Sequence, residues 1–556
     1  MNKRYHSPSL PRQLELRAKK PLHEYIKDHA QRTPDKPALI YYGTEITYRE
    51  LDRNVECCAN LLASYGVCKG DAVALYMQNC PQFIFAFFGI QRIGAIVGPC
   101  SPLFKEWELE YEVNELCAKV IMADENLYSV ITNIKDNTSL EKIVLTRQSE
   151  FLPENPTLPL PEELKNCRPA TDEYPEGTVN FMAAIRAIEP NALDVKIDVE
   201  NDIALLIFTS GTTGMPKGAM LTYYSALYKG VGIGLAFHMG EFDVFLNTQP
   251  LFHIAGMALL HAQIYNGSTV VLLSRYTPEA VMAAIDSYKC NRWYSTAIMN
   301  DQVLNHPDLD KYNLASLRIN PCTSFGIQLT EELAQKWTDV TKGGILLECA
   351  YGLSESHTMD TAMPVERIKY GTHGVPFFDD MQIKIVNFET REECEPNEMG
   401  EILLSNPALF KGYLKNPEKT DEVLKDGWLY TGDMGKLDDE GFLTWMGRKK
   451  EMIKSSGFSV FPEEVEGFLI KHPAVAQVAV IGKNDKRRGQ IVKAFIVLKA
   501  KNKNRITEQE IIDWTLEKMA TYKRPREIEF INSIPVSGPG KILRRKLVER
   551  EEAKCV

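Results

Sequence analysis

The sequence predicts an α/β protein, and three observations carry that prediction. Helical and strand-like stretches alternate over residues 21–150 and resume beyond residue 190, which argues parallel strand pairing through helical crossovers. At residue 381 the texture changes to short strands and turns, the pattern of a small antiparallel or barrel-like unit. Beyond residue 451 the chain reads as a compact α+β unit of about a hundred residues, an ordinary domain size. At 556 residues the whole exceeds what one core can organise, and a scale of roughly 100–200 residues per domain gives three or four units.

Each element has a local reason. Residues 47–64 open with a capping box, Thr47 and Glu50, then place Leu51, Val55, Cys58, Leu61 and Leu62 on one helical face. Residues 70–77 read as a strand, 83–93 as a helix apolar nearly all round and therefore buried, and 120–123 and 142–146 as short strands. The proline and acidic content of 150–190 predicts a long surface connection. The unbroken apolar run 203–208 is a buried strand, followed by a glycine-rich loop and a helix. Residues 269–273 form a strand, and 277–288 a helix capped at Thr277 with Pro278 at its first position. Gly230, Gly232 and Gly234 have the wrong spacing for a dinucleotide fingerprint and follow no strand. Further strands are expected at 382–386, 401–404, 427–430 and 442–445. Past a polar run headed by Gly447, helices are expected at 462–472 and 507–520, the second with a Thr507/Glu510 capping box, and strands at 476–481 and 493–498.

Composition narrows the function classes. A net charge of −10 argues against general binding to nucleic acid or anionic membranes, so an anionic substrate needs locally positive sites. Twelve scattered cysteines without a C-x-x-C pair read as free, mostly buried thiols in a reducing compartment. The beginning of the sequence lacks an apolar signal region. The most membrane-like stretch, 83–98, is broken by Gln91 and Arg92 and is shorter than the ~20 residues a span needs. A cytoplasmic enzyme without a transmembrane segment is the expectation; oligomeric state leaves no readable trace.

Five stretches carry chemistry. After the 203–208 strand, Thr209, Ser210, Thr212 and Thr213 supply hydroxyls, Gly211, Gly214 and Gly218 let backbone N–H groups come close, and Lys217 adds a positive charge. The loop suits a polyphosphate, yet it is not a Walker A loop, because Pro216 and Gly218 stand where glycine and Ser/Thr belong. Tyr351-Gly352-Leu353-Ser354-Glu355 puts a carboxylate beside a hydroxyl, as a Mg²⁺–phosphate site needs; alone, Glu355 is as readily a solvated loop acid. Tyr430-Thr431-Gly432-Asp433 offers a carboxylate for ribose hydroxyls, or simply makes a type I or II turn. Gly447-Arg448-Lys449-Lys450 with Gly457-Phe458 is a charged hinge or an ordinary charged surface turn, and Lys541 follows a Gly538-Pro539-Gly540 frame near the chain's end.

Residues 209–218 resemble the T-S-G-T-T-G-x-P-K-G signature of the adenylate-forming superfamily of acyl-CoA synthetases, peptide-synthetase adenylation domains and luciferases. The other stretches are similar to that family's Y-G-x-T-E (with Ser354 for threonine), Y-x-G-D, hinge and P-x-x-x-x-G-K-x-x-R motifs, in family order from residue 46 to 547. The resemblance implies a large N-terminal region, 1–447, of doubly wound αβ sheets with a small β-barrel-like unit. It also implies a hinge at 448–450 and a smaller mobile α+β C-terminal domain, 451–556. It implies ATP, Mg²⁺ and coenzyme A, with ATP or AMP bound by Thr209, Ser210, Gly211, Thr212, Thr213, Gly214, Lys217, Gly326, Tyr351, Gly352, Ser354, Asp433, Arg448 and Lys541. Lys541, Glu355, Lys217 and Ser354 take catalytic parts: Glu355 meets the metal, Lys217 clamps the β/γ-phosphates, and Lys541 bridges carboxylate and α-phosphate. Tyr351 packs on adenine. Lys450 is the pivot, and Lys454 and Gly457 lie on the CoA side.

The implied reaction activates a carboxylic acid as acyl-AMP with release of pyrophosphate, then transfers the acyl group to CoA. Amino-acid adenylation domains carry Phe-Asp where this chain has Phe252-His253, so an acid without an α-amine is expected, of short, medium or fatty type. His253 and Ala255 are implied to line the acyl pocket, although His253 is equally a packed core histidine. Phe325 replaces a glycine of relatives and is expected to narrow that pocket, disfavouring bulky aryl or unbranched long chains. A carrier-protein phosphopantetheine as acceptor, a luciferase-like oxygenase and a non-catalytic nucleotide-binding regulator are the alternatives.

Overall fold

The computed structural model describes residues 5–167, 173–209, 215–324, 327–455, 458–485, 488–503, 505–516, 519–536 and 542–554. Ser210, Gly211, Thr212, Thr213, Gly214, Phe325, Gly326, Gly457 and Lys541 lie outside the described residues, as does the side chain of Lys450.

The fold is α/β, built on four sheets. The first has seven strands in the spatial order Val179–Asn180, Lys142–Thr146, Val120–Asp124, Ala72–Tyr76, Ile96–Pro99, Ile203–Thr209 and Lys217–Thr222, all parallel except the last pair. The second has eight, is likewise parallel, and ends in the antiparallel hairpin Pro37–Tyr41/Thr44–Thr47. One apolar core joins both: Val73, Val97 and Leu205 from the first sheet, Leu39, Leu246 and Val270 from the second, and Phe83, Phe87, Met257 and Leu260 from helices. Buried strands with apolar side chains on both faces are what parallel sheets covered by helices require.

Local predictions hold where the signal is local. The helix Tyr48–Ser64 begins on the Thr47/Glu50 capping box, and Pro81–Arg92 is buried at every residue. Thr277 caps Pro278–Tyr288 by accepting the Ala280 N–H. Thr507 and Glu510 exchange side-chain to backbone hydrogen bonds at the head of Glu508–Leu516. The three glycines of 230–234 sit inside the helix Tyr223–Ala236, Gly230 and Gly234 against the helix Ile254–Asn266 and Gly232 against Phe377. A Cβ on Gly230 would stand 3.1 Å from His261, one on Gly232 2.4 Å from Phe377, and one on Gly234 2.4 Å from Asn266. They are a close-packing seam between elements.

Two expectations are corrected. Residues 150–190 are no mere surface connection: they contain the helices Glu162–Lys165 and Phe181–Arg186 and bury Leu158, Leu164, Phe181, Met182 and Ile185. The glycine-rich loop does not run into a helix. It closes a hairpin, in which Lys217–Thr222 returns antiparallel to Ile203–Thr209 with Lys217 opposite Thr209, and the helix starts only at Tyr223.

The third sheet, from Gln382 onward, is antiparallel and five-stranded, with Gly400–Ser405 between Gln382–Val386 and Trp428–Leu437, and Leu443–Arg448 beyond. The fourth is the mixed sheet of the C-terminal α+β unit, centred on the long hairpin Val475–Asp485/Gly489–Leu498 and packed on Pro462–Leu469 and Arg544–Ala553. Gly447 lies at the junction with φ +106°, and a Cβ there would stand 2.1 Å from the Glu463 carboxylate. A side chain there would have to displace the Glu463 carboxylate and adopt a backbone conformation strained for any residue but glycine.

Candidate active site

The hairpin that ends the first sheet delivers Lys217. Beside its second strand the chain of residues 411–414 continues the ladder: Leu414 N–H donates to Gly218 C=O at 2.8 Å and Met220 N–H to Gly412 C=O at 3.0 Å. Gly218 is thus a strand residue, in register with Phe208 on one side and with its carbonyl taken by Leu414 on the other. The arrangement sets the Lys217 ammonium 4.9 Å from the centroid of the Tyr413 ring. Tyr413 in turn donates its hydroxyl to Glu355 Oε1 at 2.8 Å, and burial, followed by the charge of Glu355, pushes its ionisation far up. A cation, a neutral phenol and a carboxylate so form one line. Among the described residues Glu355 Oε2 accepts no hydrogen bond.

A second line runs from the antiparallel sheet. Asp433 and Arg448 are cross-strand partners, with Arg448 Nε 2.9 Å from Asp433 Oδ1, and buried Tyr351 donates to Asp433 Oδ2 at 2.9 Å. Burial works against the charged guanidinium, but Asp433, then Tyr351 and Glu355, more than offset it and hold the pKa of Arg448 above its ordinary value. Residues 431–433 are not the predicted turn. They bulge out of the strand Trp428–Leu437 opposite Ile402, with Gly432 at φ +69° and Thr431 Oγ1 donating to Ile402 C=O at 2.7 Å. The bulge aims the Asp433 carboxylate at Tyr351 and Arg448. Each of its oxygens carries two lone pairs, so ribose hydroxyls can still be accepted. Tyr351 itself is 7% exposed, with its hydroxyl committed to Asp433.

Between the two lines lies the segment 351–360. Ser354–Ser356 makes a single 3-10 turn, and His357, Thr358 and Met359 follow with φ of +58°, +56° and +49°. A left-handed run costs roughly 1–2 kcal/mol per residue, and Thr358, being β-branched, is a true outlier. Hydrogen bonds from Thr358 N–H to Leu353 C=O (2.7 Å), from Asp360 N–H to Tyr351 C=O (2.7 Å) and from Tyr351 N–H to Thr361 Oγ1 (2.8 Å) tie the segment. Gly352 has a backbone reason: a Cβ there would lie 2.3 Å from Met359 N.

The remaining predicted residues fall elsewhere. His253 caps the helix Ile254–Asn266, its Nδ1 accepting the Ala255 N–H at 3.3 Å, and both residues are half-buried. Lys454 is exposed in the strand Ile453–Ser455 of the C-terminal sheet, its N–H donating to Gln490 Oε1 at 2.9 Å. Three residues at the site escaped sequence reasoning. Tyr413 belongs to no motif and is found only through its contacts. Lys229 and Asp360 form a fully buried ion pair at 2.8 Å; a lysine inside the otherwise apolar stretch 226–236 was the available signal.

Comparison with known proteins shows the family. A family model described as "AMP-binding enzyme" matches residues 26–414, and one described as "AMP-binding enzyme C-terminal domain" matches 464–541. The chain is 35% identical to a long-chain-fatty-acid–CoA ligase of Bacillus subtilis, over 98% of this chain and 96% of that one. It is 30% identical to 4-coumarate–CoA ligase 3 of Arabidopsis thaliana, over 98% and 94%. The solved structure of an anthranilate CoA ligase, AuaEII, with anthranoyl-AMP superposes with a TM-score of 0.84 at 27% identity, covering 97% of this chain and 98% of that one. With two matching family models and relatives at 30–35% identity over nearly its whole length, the chain belongs to the AMP-binding enzymes of the adenylate-forming superfamily.

Proposed function

We propose that this chain is an AMP-forming acid–thiol ligase that activates a carboxylic acid of fatty type and passes it to coenzyme A. The observation that carries the reading is the contact line Lys217–Tyr413–Glu355, whose carboxylate charge also acts on Arg448, the partner of Asp433. In the first half-reaction the substrate carboxylate oxygen bonds to the α-phosphorus of ATP and the bond to pyrophosphate breaks. In the second, the CoA thiol, losing its proton, attacks the acyl carbon and AMP leaves. No protein nucleophile is needed, and catalysis is positioning and charge stabilisation.

Lys217 is read as the clamp on the β/γ-phosphates, Asp433 and Arg448 as the ribose and α-phosphate contacts, and Ser354 as a phosphate-side hydroxyl. Thr209, Ser210, Gly211, Thr212, Thr213 and Gly214 complete the phosphate loop in this reading, and Gly326 and Tyr351 border adenine. Glu355 fits Mg²⁺, which takes one or two carboxylates and fills its sphere with phosphate and water oxygens: its Oε1 is steadied by Tyr413 and its Oε2 accepts nothing among the described residues. The ion would there neutralise phosphate charge. His253, Ala255 and Phe325 are assigned to the acyl pocket, Lys541 to the developing charge at the α-phosphate, and Lys450, Lys454 and Gly457 to a hinge and thiol side. The boundary at 448–450 falls between the two family matches and beside the tight Gly447–Glu463 contact. No described helix is long and apolar enough to cross a membrane; the cytoplasm is proposed because ATP and CoA are the co-substrates.

The fatty-type acid is supported by the long-chain relative, with the 4-coumarate relative marking aryl acids as the competing class. Pyrophosphate release over short, medium, long, branched and aryl acids, with and without CoA, tests the whole reading. Release with fatty acids and CoA thioester as product is expected. ATP binding without release would make the chain a nucleotide-binding regulator, and acyl-AMP that CoA does not discharge would point to a carrier protein. Lys541→Ala is expected to lower acyl-AMP formation about 10²–10³-fold, the scale of losing one charge-stabilising donor, while supplied acyl-AMP is still converted to thioester; equal loss of both halves refutes that role.

A further inference from the structure

The turn that carries Ser354 and Glu355 is followed by three left-handed residues, whose carbonyls cannot enter a helical ladder and need other donors. One such donor comes from a distant helix. The Lys229 ammonium, 0% exposed in the middle of Tyr223–Ala236, donates to the Met359 carbonyl at 3.0 Å and pairs with Asp360 Oδ1 at 2.8 Å. The same carboxylate accepts from Asn406 Nδ2 at 2.8 Å on Oδ1 and from the Ser356 hydroxyl on Oδ2. Ser356 is next to Glu355. The Glu355 carbonyl accepts the Phe410 N–H at 2.8 Å, three residues before Tyr413. One buried ion pair thus gathers a helix, the far end of the left-handed run, the catalytic turn and the strand end at 406.

A pair so placed is costly if it only fills space. Removing two charges from water is expensive, and apolar residues of like size fill a core at least as well. What apolar residues cannot do is hold a particular carbonyl and a particular hydroxyl. We propose that Lys229 and Asp360 are positioning residues for Glu355: by fixing the Met359 carbonyl and the Ser356 hydroxyl they set where the Glu355 carboxylate stands relative to Tyr413 and Lys217. The inference rests on the reading of Glu355 as the carboxylate that meets metal-bound phosphate.

The test compares the full-length parent with Lys229→Met/Asp360→Asn, Ser356→Ala and Glu355→Gln. Pyrophosphate release is followed against Mg²⁺ concentration at fixed ATP and saturating acid, beside thermal unfolding and the KM for the acid. The double variant leaves no unpaired buried charge and keeps the Ser356 hydroxyl with its bonds to the Leu353 backbone; Ser356→Ala keeps the ion pair and removes its tie to the turn together with those Leu353 bonds, so one variant is available should the other fail to fold. Both are expected to need several-fold more Mg²⁺ for half-maximal rate and to lose about tenfold or more in kcat, the scale of a small misplacement at a reacting centre, with the KM for the acid within about twofold. A purely structural pair would move the unfolding temperature and leave the Mg²⁺ profile alone. Parent-like Mg²⁺ profiles in both variants, beside a shifted one in Glu355→Gln, overturn this inference alone. A parent-like profile in Glu355→Gln overturns the metal reading and this inference with it.

Discussion

Two buried charge clusters sit on either side of the Gly447 junction, and they are built on opposite rules. In the N-terminal region Lys229 meets one carboxylate, Asp360, and every other partner of that carboxylate is neutral. In the C-terminal unit one guanidinium, Arg544, meets three: Glu451 Oε2 at 2.6 Å, Glu463 Oε1 at 2.9 Å and Glu466 Oε2 at 2.7 Å. Burial raises the pKa of Asp360 and lowers that of Lys229, and each ion pulls the other back toward its charged form. Burial raises Glu463 and Glu466 as well, but there a single arginine is shared and the carboxylates repel one another. The first cluster is balanced and fixes geometry. The second is overfilled with acid, so its protonation depends on pH, and Glu463 is the member that presses on the junction.

Breaking the balanced pair has the largest expected effect on stability. Lys229→Ala leaves Asp360 buried without its cation and is expected to cost about 3–5 kcal/mol, read by denaturant unfolding. Arg544→Met is expected to cost about 3 kcal/mol near pH 8 and progressively less toward pH 5, as protonation relieves the three acids. A loss as large at pH 5 as at pH 8 would show that these acids do not titrate in this range. Glu463→Gln sharpens the contrast with a smaller effect of opposite sign. The folded state holds a proton on this carboxyl that the unfolded chain has released, so parent stability falls as pH rises between roughly 5 and 8. The glutamine variant is expected to be more stable by about 1 kcal/mol near pH 8 and to flatten that slope.

Glu551 supplies the opposite sign within the same unit. Burial raises its pKa, but Lys493 and Lys554 outweigh burial and bring it down to about 2. Its contribution is present above the ordinary carboxylate range and lost as pH falls toward 2. Glu551→Gln should therefore lower stability above pH 5 and flatten the fall toward pH 2, the smallest of these effects.

What the sequence disclosed follows the range of the interaction. Thr47 with Glu50, Thr277 with Pro278 and Thr507 with Glu510 are decided within one helical turn, and they stand as predicted. The strand Lys217–Thr222 is not legible locally because its reason lies elsewhere: it pairs with Ile203–Thr209 on one side and with residues 411–414 on the other. Leu158, Leu164 and Phe181 lacked a period and hid among prolines, yet the core accepts them one by one. The site is legible in the same measure. Glu355, Asp433 and Arg448 were read from motifs, while Tyr413, which joins Lys217 to Glu355, and Lys229, 131 residues from Asp360, are neighbours only in three dimensions. The bulge at Gly432 could not be told from a turn, because both use the same residues and differ in what lies across the strand.

The glycine seam at 230, 232 and 234 bears on how the chain folds. Each glycine inside a helix lowers its intrinsic stability by about 1 kcal/mol relative to alanine, so the stretch 223–236 is a poor helix by itself. It gains its stability from the close approach to Ile254–Asn266 that Gly230 and Gly234 permit. During synthesis the first of these helices leaves the ribosome before its partner exists, and it must wait, partly coiled, for some thirty further residues. Lys229 waits with it, still hydrated, for Asp360 lies a further hundred residues along the chain. Consolidation of this core is in that sense a late event, timed by the arrival of C-terminal sequence.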